Sequence, residues 1–129
     1  VNIIDYVTIG STGNASDFGD MTAAITQVAG CSSSTRGLIG GGTTGSNSNV
    51  IQYITIANTG NASDFGDLTV ARPALAGFSD SVKGLFAGGS SSNVIDFVTI
   101  ASTGNASDFG DLTAEGGHSG LCNRHGGIA

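Results

Sequence analysis

Six of the ten acidic residues fall into three Asp-x-x-Asp pairs: Asp17 with Asp20, Asp64 with Asp67, and Asp108 with Asp111. Two carboxylates beside Asn14, Asn61 or Asn105 supply oxygen ligands of the kind Ca²⁺ takes. The pairs lack the acid-rich loop ending in a bidentate Glu that calcium loops carry, so a structural use carries more weight. In that use one Asp caps turn amides and its mate pairs with a base on an adjacent strand. Bases at a repeated position exist: Arg36 and Lys83 stand in Ser-Thr-Arg-Gly-Leu and Ser-Val-Lys-Gly-Leu, and Arg124 matches them more loosely. The expectation is a repeated ion pair or Asp-to-amide capping, with no metal and no cofactor.

Other reactive residue types form no constellation. His118 and His125 have no Ser or Cys nucleophile with a matching orienting group, so no acid/base or nucleophilic site is assembled and the chain is not expected to be an enzyme. The glycine run 40–45 is not followed by Lys-Ser/Thr, which a phosphate cradle needs. Cys31 aligns with Phe78, an apolar slot, and reads as a buried free thiol, a Cys31–Cys122 bridge being the alternative. Asn14, Asn61 and Asn105 each begin an Asn-Ala-Ser sequon, but their common place in one repeated turn is explained by turn chemistry.

The elements that position these residues are repeats. Ser-Asp-Phe-Gly-Asp occurs three times, inside near-identical stretches at 11–20, 58–67 and 102–111, with Phe18, Phe65 and Phe109 spaced 47 and 44 residues apart. A period of that size marks an array of one supersecondary unit. The units run approximately 2–48, 49–92 and 93–129, the last degenerate, within a single domain of residues 1–129. Each opens on a strand rich in β-branched and aromatic residues (2–9, 49–56, 93–100), passes a Thr-Gly-Asn-Ala-Ser turn and continues into the Asp-Phe-Gly-Asp strand. A strand at 74–78, a hairpin turn at 79–82 and a strand at 83–89 complete the middle unit, giving four short strands in about 45 residues. Residues 21–29 have some helical propensity, but Pro73 and Gly116-Gly117 in the equivalent segments make an extended path the expectation. The repeated aromatics Tyr6, Tyr53 and Phe97, with the three Phe, are expected in the core between units.

Composition narrows the class. The chain has 129 residues, 22 Gly, 11% charged residues and 39% hydrophobic residues in short β-branched runs, which suits a folded all-β domain with a Ser, Thr, Asn and Gly surface. A net charge of −6 with only four basic residues excludes a phosphate-tracking surface, so nucleic acid is not an expected partner. No apolar run reaches the roughly 20 residues of a membrane helix. No signal peptide is visible ahead of the first strand-like run.

In the order Gly88-Gly89, Phe97, Thr103, Phe109, and in Thr59, Phe65 and Arg72 of the middle unit, the chain resembles the kelch repeat, with Phe where that family has Trp. Its Thr-Gly-Asn-Ala-Ser-Asp-Phe-Gly-Asp stretches are similar to repeats of tailed-bacteriophage virion proteins, marine ones especially. The resemblance implies an all-β kelch-like propeller with three blade equivalents. Repeat order starts the chain with the outer strand pair of a blade and ends it with an inner pair, at about 118–129. Three blades are fewer than the four to eight that close a propeller. Closure by oligomerisation is therefore expected, two copies giving six blades, with a nine-blade trimer and an open array as alternatives. The implied function is a non-enzymatic structural or adhesion protein, a phage tail or fibre-associated component of virion or extracellular location. It would present loops such as 43–48 and 90–92 to a protein or receptor. A carbohydrate-binding propeller lectin with one site per blade is the alternative.

Overall fold

The computed structural model describes residues 1–120. The β-branched runs and the turns between them build ten strands: β1 (Ile3–Tyr6), β2 (Ser16–Asp20), β3 (Ala29–Ser32), β4 (Arg36–Gly40), β5 (Val50–Thr55), β6 (Ser63–Asp67), β7 (Ala76–Ser79), β8 (Lys83–Ala87), β9 (Val94–Thr99) and β10 (Ser107–Asp111). They form three antiparallel sheets, β1-β2, β3-β4-β5-β6 and β7-β8-β9-β10, each a meander in chain order. Among the described residues there is no helix. Residues 21–28 bend between β2 and β3. Gln27 and Ala74, at equivalent positions, both take a positive φ (58° and 59°), which interrupts any helical path.

Each four-stranded sheet crosses a boundary of the sequence repeat. Strands β3 and β4 come from the first unit and β5 and β6 from the second, so each of the first two units contributes to two sheets. Pairing of consecutive strands across that boundary, β4 with β5 and β8 with β9, ties successive units together. The two-stranded sheet β1-β2 is the outer half alone. The expected inner pair at 118–129 lies almost wholly outside the described residues, as do Cys122, Arg124 and His125.

The core lies between the two four-stranded sheets, with Ala29, Leu38, Ile51, Phe65, Leu68, Leu75, Phe86, Val98 and Ile100 as one buried cluster. The first strands of these sheets, β3 and β7, run against each other. Ser79 Oγ donates to Ser32 O at 2.7 Å and accepts from Ser32 N–H at 3.3 Å. The approach is close enough that a Cβ on Gly77 would overlap the Gly30 carbonyl. The same step recurs at the next position, where a Cβ on Gly120 would lie 2.7 Å from Gly77 O.

Candidate binding surface

Ser-Asp-Phe-Gly-Asp encodes a β-bulge. In β6, Asp64 faces Gln52 and Gly66 faces Ile51, which leaves Phe65 as the extra residue; Phe18 and Phe109 occupy the same place in β2 and β10. The glycine after each Phe takes a φ of 149°, 147° or 145° (Gly19, Gly66, Gly110), a region closed to most L side chains. At Gly19 and Gly66 there is a second reason for glycine. A Cβ there would overlap the carbonyl oxygen of Gly60 and Gly104 respectively, because the turn of the next unit lies across the strand.

That turn covers the open edge of the preceding sheet. Gly60 N–H donates to Phe18 O (2.7 Å), Ala62 N–H donates to Asp20 O (2.8 Å), and Asp20 N–H donates to Asn61 Oδ1 (3.0 Å). One unit later the same three bonds run from Gly104 to Phe65 O, from Ala106 to Asp67 O and from Asp67 N–H to Asn105 Oδ1, at 2.7, 2.8 and 3.0 Å. A strand edge that would otherwise expose unpaired amides and carbonyls is thereby closed. The repeated Asn is an inter-sheet acceptor. Of the paired carboxylates, Asp108 accepts from Gly110 N–H at 2.9 Å, and Asp17, Asp64 and Asp108 are exposed.

The repeated bases take a different partner from the expected carboxylates. Arg36 lies over the Tyr53 ring at 4.6 Å and donates to Ile100 O at 3.0 Å, while Lys83 lies over the Phe97 ring at 5.1 Å. Each of these rings meets the bulge Phe of its own sheet edge-on. Tyr6–Phe18, Tyr53–Phe65 and Phe97–Phe109 all have centroids 6.0 Å apart and planes 76° to 83° apart. The repeated unit is therefore a cation–aromatic–aromatic stack.

The ion pair among the described residues is Arg72–Asp96, which sequence reasoning did not single out. Arg72 Nη1 sits 2.9 Å from Asp96 Oδ2, with 1% and 0% side-chain exposure. The guanidinium also donates to Gly88 O, Phe86 O, Val70 O and Val94 O, and Asp96 accepts from the N–H and hydroxyl of Thr69. Every buried charge here is bonded, as burial requires. At the preceding inter-sheet contact the charges vanish together. Gln52 stands at the position of Asp96 and accepts from Thr22 N–H and Oγ1 at 2.8 and 3.1 Å. Ile25 stands at the position of Arg72, its side chain beside Gly42 as that of Arg72 is beside Gly89. Both variants were visible in the sequence, but only the strand register brings 72 and 96 together.

Two shallow pockets occupy corresponding places. One of about 220 Å³ is lined by Tyr6, Thr8, Ser11, Gly13, Asn14 and Ser16. The other, of about 200 Å³, includes Phe97, Thr99, Ser102, Gly104, Asn105 and Ser107. An aromatic wall with hydroxyl and carboxamide groups can stack on and hydrogen-bond a small polar ring. Among the described residues no three His, Cys, Asp or Glu side chains converge as a metal site. Cys31 is unbridged among them and packs against the core, where burial pushes its thiol from 9.0 up to about 12. His118 is exposed. Neither a protein-family model nor a curated protein matches this chain.

Proposed function

We propose that this chain is a non-enzymatic structural or adhesion protein built on kelch-like propeller blades, a virion component of the phage tail or fibre kind. Its task is presentation: packed sheets hold short Ser, Asn and Gly loops toward a protein or receptor, and copies of the chain associate to close the blade array. The observation that carries this reading is where the charge goes. Arg72 and Asp96 are consumed by backbone and side-chain bonds, and Arg36 and Lys83 cover aromatic rings, so the reactive groups serve architecture. The loop at 43–48 suits display. It is exposed over 44–47 yet braced by Thr43 Oγ1, which donates to Ser46 O at 3.2 Å and accepts from Gly45 N–H at 3.2 Å. Binding of the purified protein to immobilised cell-envelope proteins and surface glycans tests it. Replacing 43–48 and 90–92 with unrelated Gly/Ser loops should abolish capture while the far-UV spectrum stays unchanged; capture that survives both exchanges contradicts presentation by these loops.

The corresponding pockets beside Tyr6 and Phe97 favour a second reading, a lectin with one sugar site per blade. On a glycan array that reading expects a hit whose signal falls at least roughly ten-fold in Tyr6→Ala and Phe97→Ala, each ring being a stacking surface.

A further inference from the structure

The two inter-sheet turns leave a matched pair of ends. The Gly13-Asn14-Ala15 turn is the sequence equivalent of Gly60-Asn61-Ala62 and Gly104-Asn105-Ala106, yet among the described residues it covers no strand. At the other end, β10 is the counterpart of β2 and β6, yet among the described residues no turn covers it. Exposure records the difference. Phe109 is 57% exposed where Phe18 and Phe65 are 8% and 2%. Ala15 is exposed where Ala62 is buried, and Asp111 is exposed where Asp20 and Asp67 are half-buried. A Cβ on Gly110 would meet nothing, whereas on Gly19 or Gly66 it would strike the next turn. Asp5 is exposed where Asp96, its counterpart, is buried, and Thr113 stands at the place of Thr69.

We propose that two copies of this chain join head to tail, the Gly13-Asn14-Ala15 turn of one seated on β10 of the other. The bonds are those already made twice within the chain. Gly13 N–H donates to Phe109 O, Ala15 N–H donates to Asp111 O, and Asp111 N–H donates to Asn14 Oδ1. The ring of Phe109 and the methyl of Ala15 are buried as their counterparts are, and Asp5 receives the N–H and hydroxyl of Thr113. A second copy is the occupant because both halves of the contact are in this one sequence, residue for residue. Each copy offers one face and receives on the other, so two copies that make both contacts close into a two-fold ring. This rests on the self-association in the proposed function and specifies its contact.

Sedimentation equilibrium over a concentration series, with the full chain, tests it. Wild type should associate. Ala15→Arg places a bulky cation on a methyl that is solvent-exposed in the single copy, and should leave a monomer with an unchanged far-UV spectrum. Should that variant fail to fold, Asn14→Ala removes one exposed acceptor and should weaken association about five-fold. Wild type that associates equally well in Ala15→Arg or Asn14→Ala form overturns the proposed contact while leaving self-association standing. Wild type that stays monomeric overturns both.

Discussion

Arg72 and Asp96 show how one repeat position can be charged in one place and neutral in another. A buried ion pair broken on one side leaves an uncompensated charge, so Arg72→Ile alone or Asp96→Gln alone should cost about 3–5 kcal/mol in chemical denaturation. The double variant Arg72→Ile with Asp96→Gln reproduces the Ile25 and Gln52 pairing of the neighbouring contact, and should recover most of that loss. Additive single costs would contradict the pairing. Cys31 supplies a pH-dependent counterpart. Its folded-state pKa is raised, so the stability it contributes is complete below pH 9.0 and is lost as pH rises from there toward about 12. Cys31→Ala should therefore show a shallower alkaline decline than wild type, measured as the difference between the two denaturation midpoints across that window. At the level of single residues the sequence was only partly informative. The apolar slot of Cys31 was readable from its alignment with Phe78. The bases were read as partners of the repeated Asp because charge complementarity is visible in a sequence, whereas the approach of Arg36 to the Tyr53 face depends on strand register.

The bulge and the turn are the elements that make the repeat stack. Asn61→Ala and Asn105→Ala each remove the acceptor of a strand-edge amide, and each should cost about 1 kcal/mol, while Asn14→Ala should leave the stability of a single copy unchanged. Thermal unfolding of the three variants, at concentrations where the chain is monomeric, checks this; equal losses at all three sites would mean that the carboxamide acts within its own turn. Gly66→Ala carries a steeper expectation. Gly66 and Gly110 share nearly the same φ, so backbone strain is common to both alanine variants, and the further loss at Gly66 measures its overlap with the Gly104 carbonyl. That further loss should be about 1–3 kcal/mol, the usual cost of overpacking. The strands, the turns and the near-identity of three units were legible because β-branched runs and Gly/Asn clusters state them locally. Two things were not: the bulge at Phe, since Ser-Asp-Phe-Gly-Asp reads as an ordinary short strand, and the use of the next unit's turn as an edge cover, since that contact spans 38 to 41 residues.

Across the described residues, three sheets of two, four and four strands succeed one another by one repeated step. Two such steps are complete, and the donors and acceptors of a third stand at opposite ends of the array. The offset between repeat unit and sheet was legible from the order of strand types alone. Which groups would be left open was not, because Asn14 and Asn61 are identical in local sequence and differ only in what lies beside them. The same offset exposes Val7 and Ile9, just after β1, at 56% and 97%, where Val98 and Ile100 are 3% and 1% exposed. Among the described residues, one end of the array thus carries exposed apolar residues and the other an uncovered strand edge. The most direct test is the mass of the native particle by native mass spectrometry or light scattering. A dimer, at twice the 12.7 kDa of one chain, is the predicted result, and a stable particle of 12.7 kDa at every concentration would contradict it.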